Sequence, residues 1–162
     1  AALEAAVGHT VLGCRDSIAG DVVADGGHAG GWDGHFPAGE TMSQQLAVPN
    51  HLPAWLTDDD LAFYVAEMSR TGFRGGLNWY RNMNALPAIL APFVGATIDQ
   101  PALYLGGELD MIAGNTPEAL AALPADVPGL DHFTVFPVAG HWLQQERSSE
   151  GNDELVRFLT GL

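Results

Sequence analysis

Two short apolar runs, Ala102-Leu103-Tyr104-Leu105 and Phe133-Thr134-Val135-Phe136, each lead into a turn that ends on a reactive side chain. The first continues through Gly106-Gly107-Glu108-Leu109 to Asp110, and the second reaches Val138-Ala139-Gly140-His141. Pro117 to Leu123 reads as a short helix between them, and a last helix carries Leu155, Phe158, Leu159 and Leu162 on one face. Strand, helix, strand, helix is the pattern of an α/β fold with two parallel strands. In an open parallel sheet, reactive groups gather at the carboxyl ends of the strands. Asp110 and His141 both stand there, so on neighbouring strands they emerge at one edge of the sheet. A carboxylate beside an imidazole fixes its tautomer and stabilises the cation formed when the ring takes a proton. The residues alone also allow plainer readings: an Asp in a Gly-rich loop is often a turn residue, and a His after Gly is often a surface or capping residue.

The upstream half reads differently. Leu3, Val7, Val11, Leu12 and Ile18 suit one or two helical turns. The stretch from Asp25 to His35 is too rich in Gly for a regular element, and the chain from Phe36 to Pro53 continues as a long excursion of the kind found in lids and insertions. Regular structure begins at Thr57, a helix cap followed by Asp58, Asp59 and Asp60 at the positive end of the dipole. Leu61, Tyr64, Val65 and Met68 then form one apolar stripe ending near Arg70. A second helical stretch starts around Leu77-Asn78-Trp79-Tyr80 and stops before Pro87.

Composition excludes several partners. There are 20 acidic residues against 6 basic ones, all Arg, for a net charge of −14. Such a chain repels phosphate backbones, which excludes nucleic acid and favours an uncharged or weakly charged small molecule. Cys14 is the only cysteine, so no intrachain disulfide can form. No apolar run approaches the roughly 18 to 20 residues that span a bilayer, and no signal peptide is visible, so the expectation is a cytoplasmic protein without a membrane partner. His28, His35 and His51, with Asp33 among them, match no zinc spacing, and neither a metal nor a cofactor is expected.

Leu52-Pro53-Ala54-Trp55-Leu56-Thr57, Asp60-Leu61, Phe63-Tyr64-Val65 and Gly72-Phe73-Arg74-Gly75 together resemble the cap segment of the soluble epoxide hydrolases. Leu77-Asn78-Trp79-Tyr80-Arg81-Asn82 is the most specific of them. Pro101-Ala102-Leu103 with Gly107-Glu108-Leu109-Asp110 is similar to that family's acid loop, and Gly140-His141-Trp142 with Gln144, Glu146 and Asn152 to its histidine loop. The resemblance covers roughly residues 50 to 162, with a fainter extension over Leu3 to Asp21. It implies the C-terminal half of an α/β-hydrolase fold, 93–162, preceded by part of a helical cap, 1–92. The order of acid before histidine is the order used in that fold.

The resemblance also implies roles. His141 is the base that activates water, Asp110 the acid that orients it, and Tyr80 the donor to the epoxide oxygen as the ring opens, with Trp79 and Trp142 lining the substrate pocket. Without the resemblance, Tyr80 reads as an aromatic packing residue. The reaction implied is hydrolysis of an epoxide to a vicinal diol through an ester on a carboxylate nucleophile.

That nucleophile is not found. An elbow needs small residues two positions either side of the reactive one. Asp33 has Gly31 before it but His35 after it, and Cys14, Ser17 and Ser43 lack the flanking pair. The family's His-Gly oxyanion segment is absent as well. The expectation is therefore a fragment that needs a missing N-terminal half or an equivalent partner. A haloalkane dehalogenase or an esterase on the same fold is the alternative among enzymes, and a non-catalytic remnant the alternative outside them. Trp79-Tyr80 favours epoxides, because neither rival chemistry needs a cap tyrosine donor.

Overall fold

The computed structural model describes residues 3–24, 39, 45, 46, 48–110, 112 and 115–162. The chain forms two compact units, one of Ala1–Ser17 with Gly31–Val94 and one of Ile18–Gly30 with Gly95–Leu162. The glycine-rich stretch, most of the excursion after it, and His28, Asp33 and His35 lie outside the described residues.

The first unit is helical. After a 3-10 turn over Leu3–Ala6, α1 runs from Val7–Asp16 and buries Thr10, Val11 and Leu12. This is longer than the one or two turns expected, because α1 gains a tertiary partner that its own propensity does not reveal. It packs on α2 of this unit, Asp58–Thr71. At Gly8 an added Cβ would lie 3.8 Å from Val65 Cγ2, and the Arg15 guanidinium sits 3.8 Å over the Tyr64 ring. The start of α2 is the expected one. Thr57 Oγ1 accepts from the Asp60 amide at 3.1 Å, and Asp60 Oδ2 accepts from the Thr57 amide at 3.1 Å, a capping box. The bonds from Thr57 hold the Asp60 carboxyl below its ordinary range. Gly72, at φ 69°, turns the chain out of the helix.

α3, Arg74–Arg81, begins earlier than the sequence suggests, taking in Gly75 and Gly76. Pro87 does not close the helical region. It occupies the first turn of α4, Leu86–Leu90, where a missing N–H costs nothing. Between and after these lie 3-10 turns at Met83–Ala85 and Ala91–Phe93.

The second unit opens with α5, Gly20–Ala24, and contains β1, Ala102–Gly107, and β2, Leu130–Phe136. The strands are parallel, with Leu105 opposite Thr134 and Gly107 opposite Phe136. Both are longer than their apolar runs, since pairing carries β1 through Gly106-Gly107 and starts β2 at Leu130-Asp131-His132. α6, Pro117–Asp126, connects them, and Thr116 caps it by accepting from the Ala119 amide at 3.2 Å. After β2 come α7, Leu143–Glu146, and α8, Ser148–Thr160. Leu105, Phe136, Ala139 and Leu143 form a small core beneath the strand ends. Leu155 and Leu159 on α8, with Leu162 beyond its end, are exposed. No helix among the described residues is long and apolar enough to cross a membrane.

Candidate active site

Asp110 and His141 meet at the carboxyl ends of the paired strands. His141 Nδ1 lies 3.2 Å from both Asp110 oxygens. The Asp110 side chain is 10% exposed and that of His141 33%. Asp110 Oδ1 also accepts the Ile112 amide at 2.9 Å. A carboxylate at Nδ1 makes that nitrogen the proton-bearing one and leaves Nε2 as the nitrogen that can take a proton. Trp142 stands edge-on to the imidazole at 5.0 Å between ring centroids.

The loops carrying the pair are interlocked. Glu108 N donates to Phe136 O at 3.0 Å and Leu109 N to Ala139 O at 2.8 Å, which pins the acid loop to the histidine loop. Glu108 Oε2 in turn accepts the Val138 amide at 3.1 Å. Val138 has φ 56°, a conformation strained for a β-branched residue and sustained only where its surroundings dictate it. A Cβ on Gly107 or Gly140 would collide with backbone atoms, those of Ala139 and Gly140 in one case and those of Ile18, Ala19 and Gly20 in the other. Under the acid loop, the Tyr104 hydroxyl bonds to Asn115 Oδ1, and Asn115 Nδ2 donates to Gly107 O at 2.9 Å. Burial, with the Asp110 charge second, raises the Tyr104 pKa.

Tyr80 and Trp79 belong to the first unit, on α3, and are 68% and 77% exposed. Tyr80 borders a cavity of about 340 Å³ in that unit, with Leu3, Thr10, Cys14, Met68 and Phe73 among its other walls. Burial raises the Cys14 thiol to about 11.

No family model matches the chain. It is 40% identical over 126 residues to epoxide hydrolase A of Mycobacterium tuberculosis, a match of 78% of this chain and 38% of that protein. An epoxide hydrolase from an endophytic Streptomyces superposes with a TM-score of 0.87 at 36% identity, over 98% of this chain and 47% of that one. The chain belongs to the epoxide hydrolase family. Epoxide hydrolase A from Mycobacterium thermoresistibile aligns similarly, with a TM-score of 0.82 at 37% identity over 100% and 48% of the two chains. The architecture is accordingly that of the α/β-hydrolases, represented by a small parallel sheet with flanking helices. The chain spans less than half the length of the epoxide hydrolases it matches.

Of the five site residues expected in this family member, Asp110, His141 and Trp142 come together in one unit. Tyr80 and Trp79 share the helix of the other. The supporting groups Glu108, Glu146, Asn115 and the Ile18-Ala19-Gly20 backbone were not singled out as site residues. Glu108 and Glu146 did stand in the motif stretches. Glu108, Glu146 and Asn115 act mainly by bonding to backbone groups that the fold brings near, which leaves no local pattern to read.

Proposed function

We propose that this chain supplies the ring-opening donor and the water-activating pair of an epoxide hydrolase, with the nucleophilic carboxylate coming from chain outside these 162 residues. In this reading, 1–92 is cap and 93–162 is core, except that Ile18–Gly30 belongs with the core unit. The carboxylate attacks an epoxide carbon, a carbon–oxygen bond of the ring breaks, and Tyr80 gives its proton to the alkoxide as charge develops. His141 Nε2 then takes a proton from water as the water adds to the ester carbonyl. The largely shielded Asp110 carboxylate stabilises the resulting imidazolium. Collapse of the adduct breaks the ester carbon–oxygen bond, the departing alkoxide takes the acid proton, and the diol leaves with the nucleophile again a carboxylate. The imidazolium proton then returns, through solvent, to the Tyr80 phenolate. Trp79 and Trp142 give the substrate apolar walls. The observation that carries this is the two-oxygen contact of Asp110 with His141 Nδ1 in a chain so similar to epoxide hydrolases. A cytoplasmic location completes the reading, and fractionation of expressing cells tests it.

The experiment is single-turnover kinetics in the enzyme that carries these residues, with styrene oxide, a haloalkane and a nitrophenyl ester as parallel substrates. Diol formation from the epoxide is expected to dominate. Tyr80→Phe is expected to slow ester formation by about a hundredfold while sparing ester hydrolysis. Turnover of the haloalkane or the nitrophenyl ester alone moves the reading to a dehalogenase or an esterase. No turnover of any of the three makes the chain a remnant.

A further inference from the structure

We propose that Glu146 is the positioning residue of the histidine loop, the group through which the backbone around His141 holds the ring against Asp110. This rests on the reading of His141 and Asp110 as the water-activating pair. One Glu146 carboxylate takes three backbone donors. Oε2 accepts the Gly140 amide at 2.8 Å and the Gly20 amide at 3.0 Å, and Oε1 accepts the Trp142 amide at 3.0 Å. Between them, His141 N donates to Ile18 O at 3.0 Å. The amides before, at and after the histidine are thus all engaged, two of them by the same side chain.

This exceeds what a helix cap requires. Glu146 closes α7, a helix of four residues, and folds back over its start at Trp142. Gly140 and Gly20 lie outside that helix, on the histidine loop and at the start of α5. The carboxylate therefore joins the histidine loop to Ile18-Ala19-Gly20, where the backbones already approach so closely that neither Gly20 nor Gly140 has room for a Cβ. Hydrogen bonds to an ionised acceptor are about twice as strong as neutral ones, so three on one carboxylate make a stiff joint.

The ring contacts explain why stiffness matters. Both His141–Asp110 distances are 3.2 Å, at the long end of the range for an N–H···O bond. An outward displacement of the backbone by about 0.3–0.5 Å takes both past the hydrogen-bond range. Glu108 is a weaker lever on the same loop, since it holds only the Val138 amide, three residues upstream of His141.

The test is NMR of the His141 ring in the purified full-length protein, reading the exchange of its Nδ1-bound proton with water. Glu146→Gln keeps one acceptor oxygen and turns an NH2 toward a donor, while Glu146→Ala removes all three bonds. Exchange is expected to quicken about tenfold in Glu146→Gln, as for the loss of one charge-assisted bond, and the signal to vanish in Glu146→Ala. If Glu146→Ala does not fold, Glu146→Gln decides alone. A lower Tm in Glu146→Gln with an unchanged ring proton makes Glu146 merely structural and overturns the proposal. Asp110→Asn separates the two levels of the argument. Its failure to disturb the ring proton overturns the acid–histidine pairing itself, and the proposal with it.

Discussion

The histidine loop and the tyrosine helix are built to opposite standards of constraint. Around His141, three consecutive amides are bonded, two glycines interlock, and a strained Val138 is held in place. α3 buries none of its residues, has no side-chain cap, and leaves open space around Gly75 and Gly76. The geometry of the acid–histidine pair is thus written into its own unit, whereas among the described residues of the first unit little holds the tyrosine helix in one place. A base must meet its orienting acid within a few tenths of an ångström, while a ring-opening donor has to reach an atom of a variable substrate. The two degrees of constraint suit the roles proposed for His141 and Tyr80.

The sharpest way to break this contrast is a pair of glycine substitutions. Gly140→Ala forces a Cβ into the Ile18-Ala19-Gly20 backbone, which cannot yield, and is expected to cost about 3 kcal/mol or more in urea unfolding. Gly75→Ala meets nothing within 4 Å in a helix and is expected to stabilise by up to about 1 kcal/mol. Equal losses at the two sites would erase the distinction.

A second test asks whether the first unit keeps its order in α1 and α2 rather than in α3. With its thiol at about 11, Cys14 on α1 is expected to alkylate roughly a hundredfold more slowly at pH 8 in the native protein than in urea. Equal rates by mass spectrometry would show that the α1 environment is open.

The strain at Val138 gives a smaller effect. Val138→Gly relieves the positive φ and is expected to raise stability by about 1 kcal/mol, measured as a shift in the urea midpoint with unchanged slope. A loss of stability would mean that the valine side chain matters more than its backbone conformation.

The smallest effect belongs to the opposite end of the sheet. His132 Nε2 bonds Glu154 at 2.9 Å and its Nδ1 faces Asp131 at 3.2 Å, with Arg157 on Glu154 at 2.8 Å. Glu154 first, then Asp131, raises the His132 pKa, and His132 lowers that of Glu154. The histidine's contribution is complete below its unfolded value of 6.5 and fades as pH rises through the raised folded value. That of Glu154 is present above 4.5 and is lost as pH falls through the lowered one. The Tm gap between wild type and His132→Gln is expected to be widest near about pH 6 and to close toward alkaline pH. A gap independent of pH would assign His132 to packing alone.

The strand–turn–acid and strand–turn–histidine pattern was readable because apolar runs, glycine turns and reactive ends follow one another along the chain. Thr57 with Asp60 announced a helix start for the same reason, as a bond between residues three apart. Elements decided by distant partners were not readable. α1 extends because α2 packs on it, Gly106 and Gly107 join β1 because β2 pairs with them, and Glu146 matters through an amide at Gly20. The stripe of α8 was legible as a stripe, but its exposure was not.

The most direct test of the central claim is intact-mass analysis of His141→Gln in the full-length enzyme after mixing with styrene oxide. A base needed only for ester hydrolysis predicts that the protein gains the mass of one epoxide and that diol release falls by about a thousandfold. Diol turnover at the wild-type rate, with no adduct on the protein, would contradict the assignment of His141 and Asp110 as the water-activating pair.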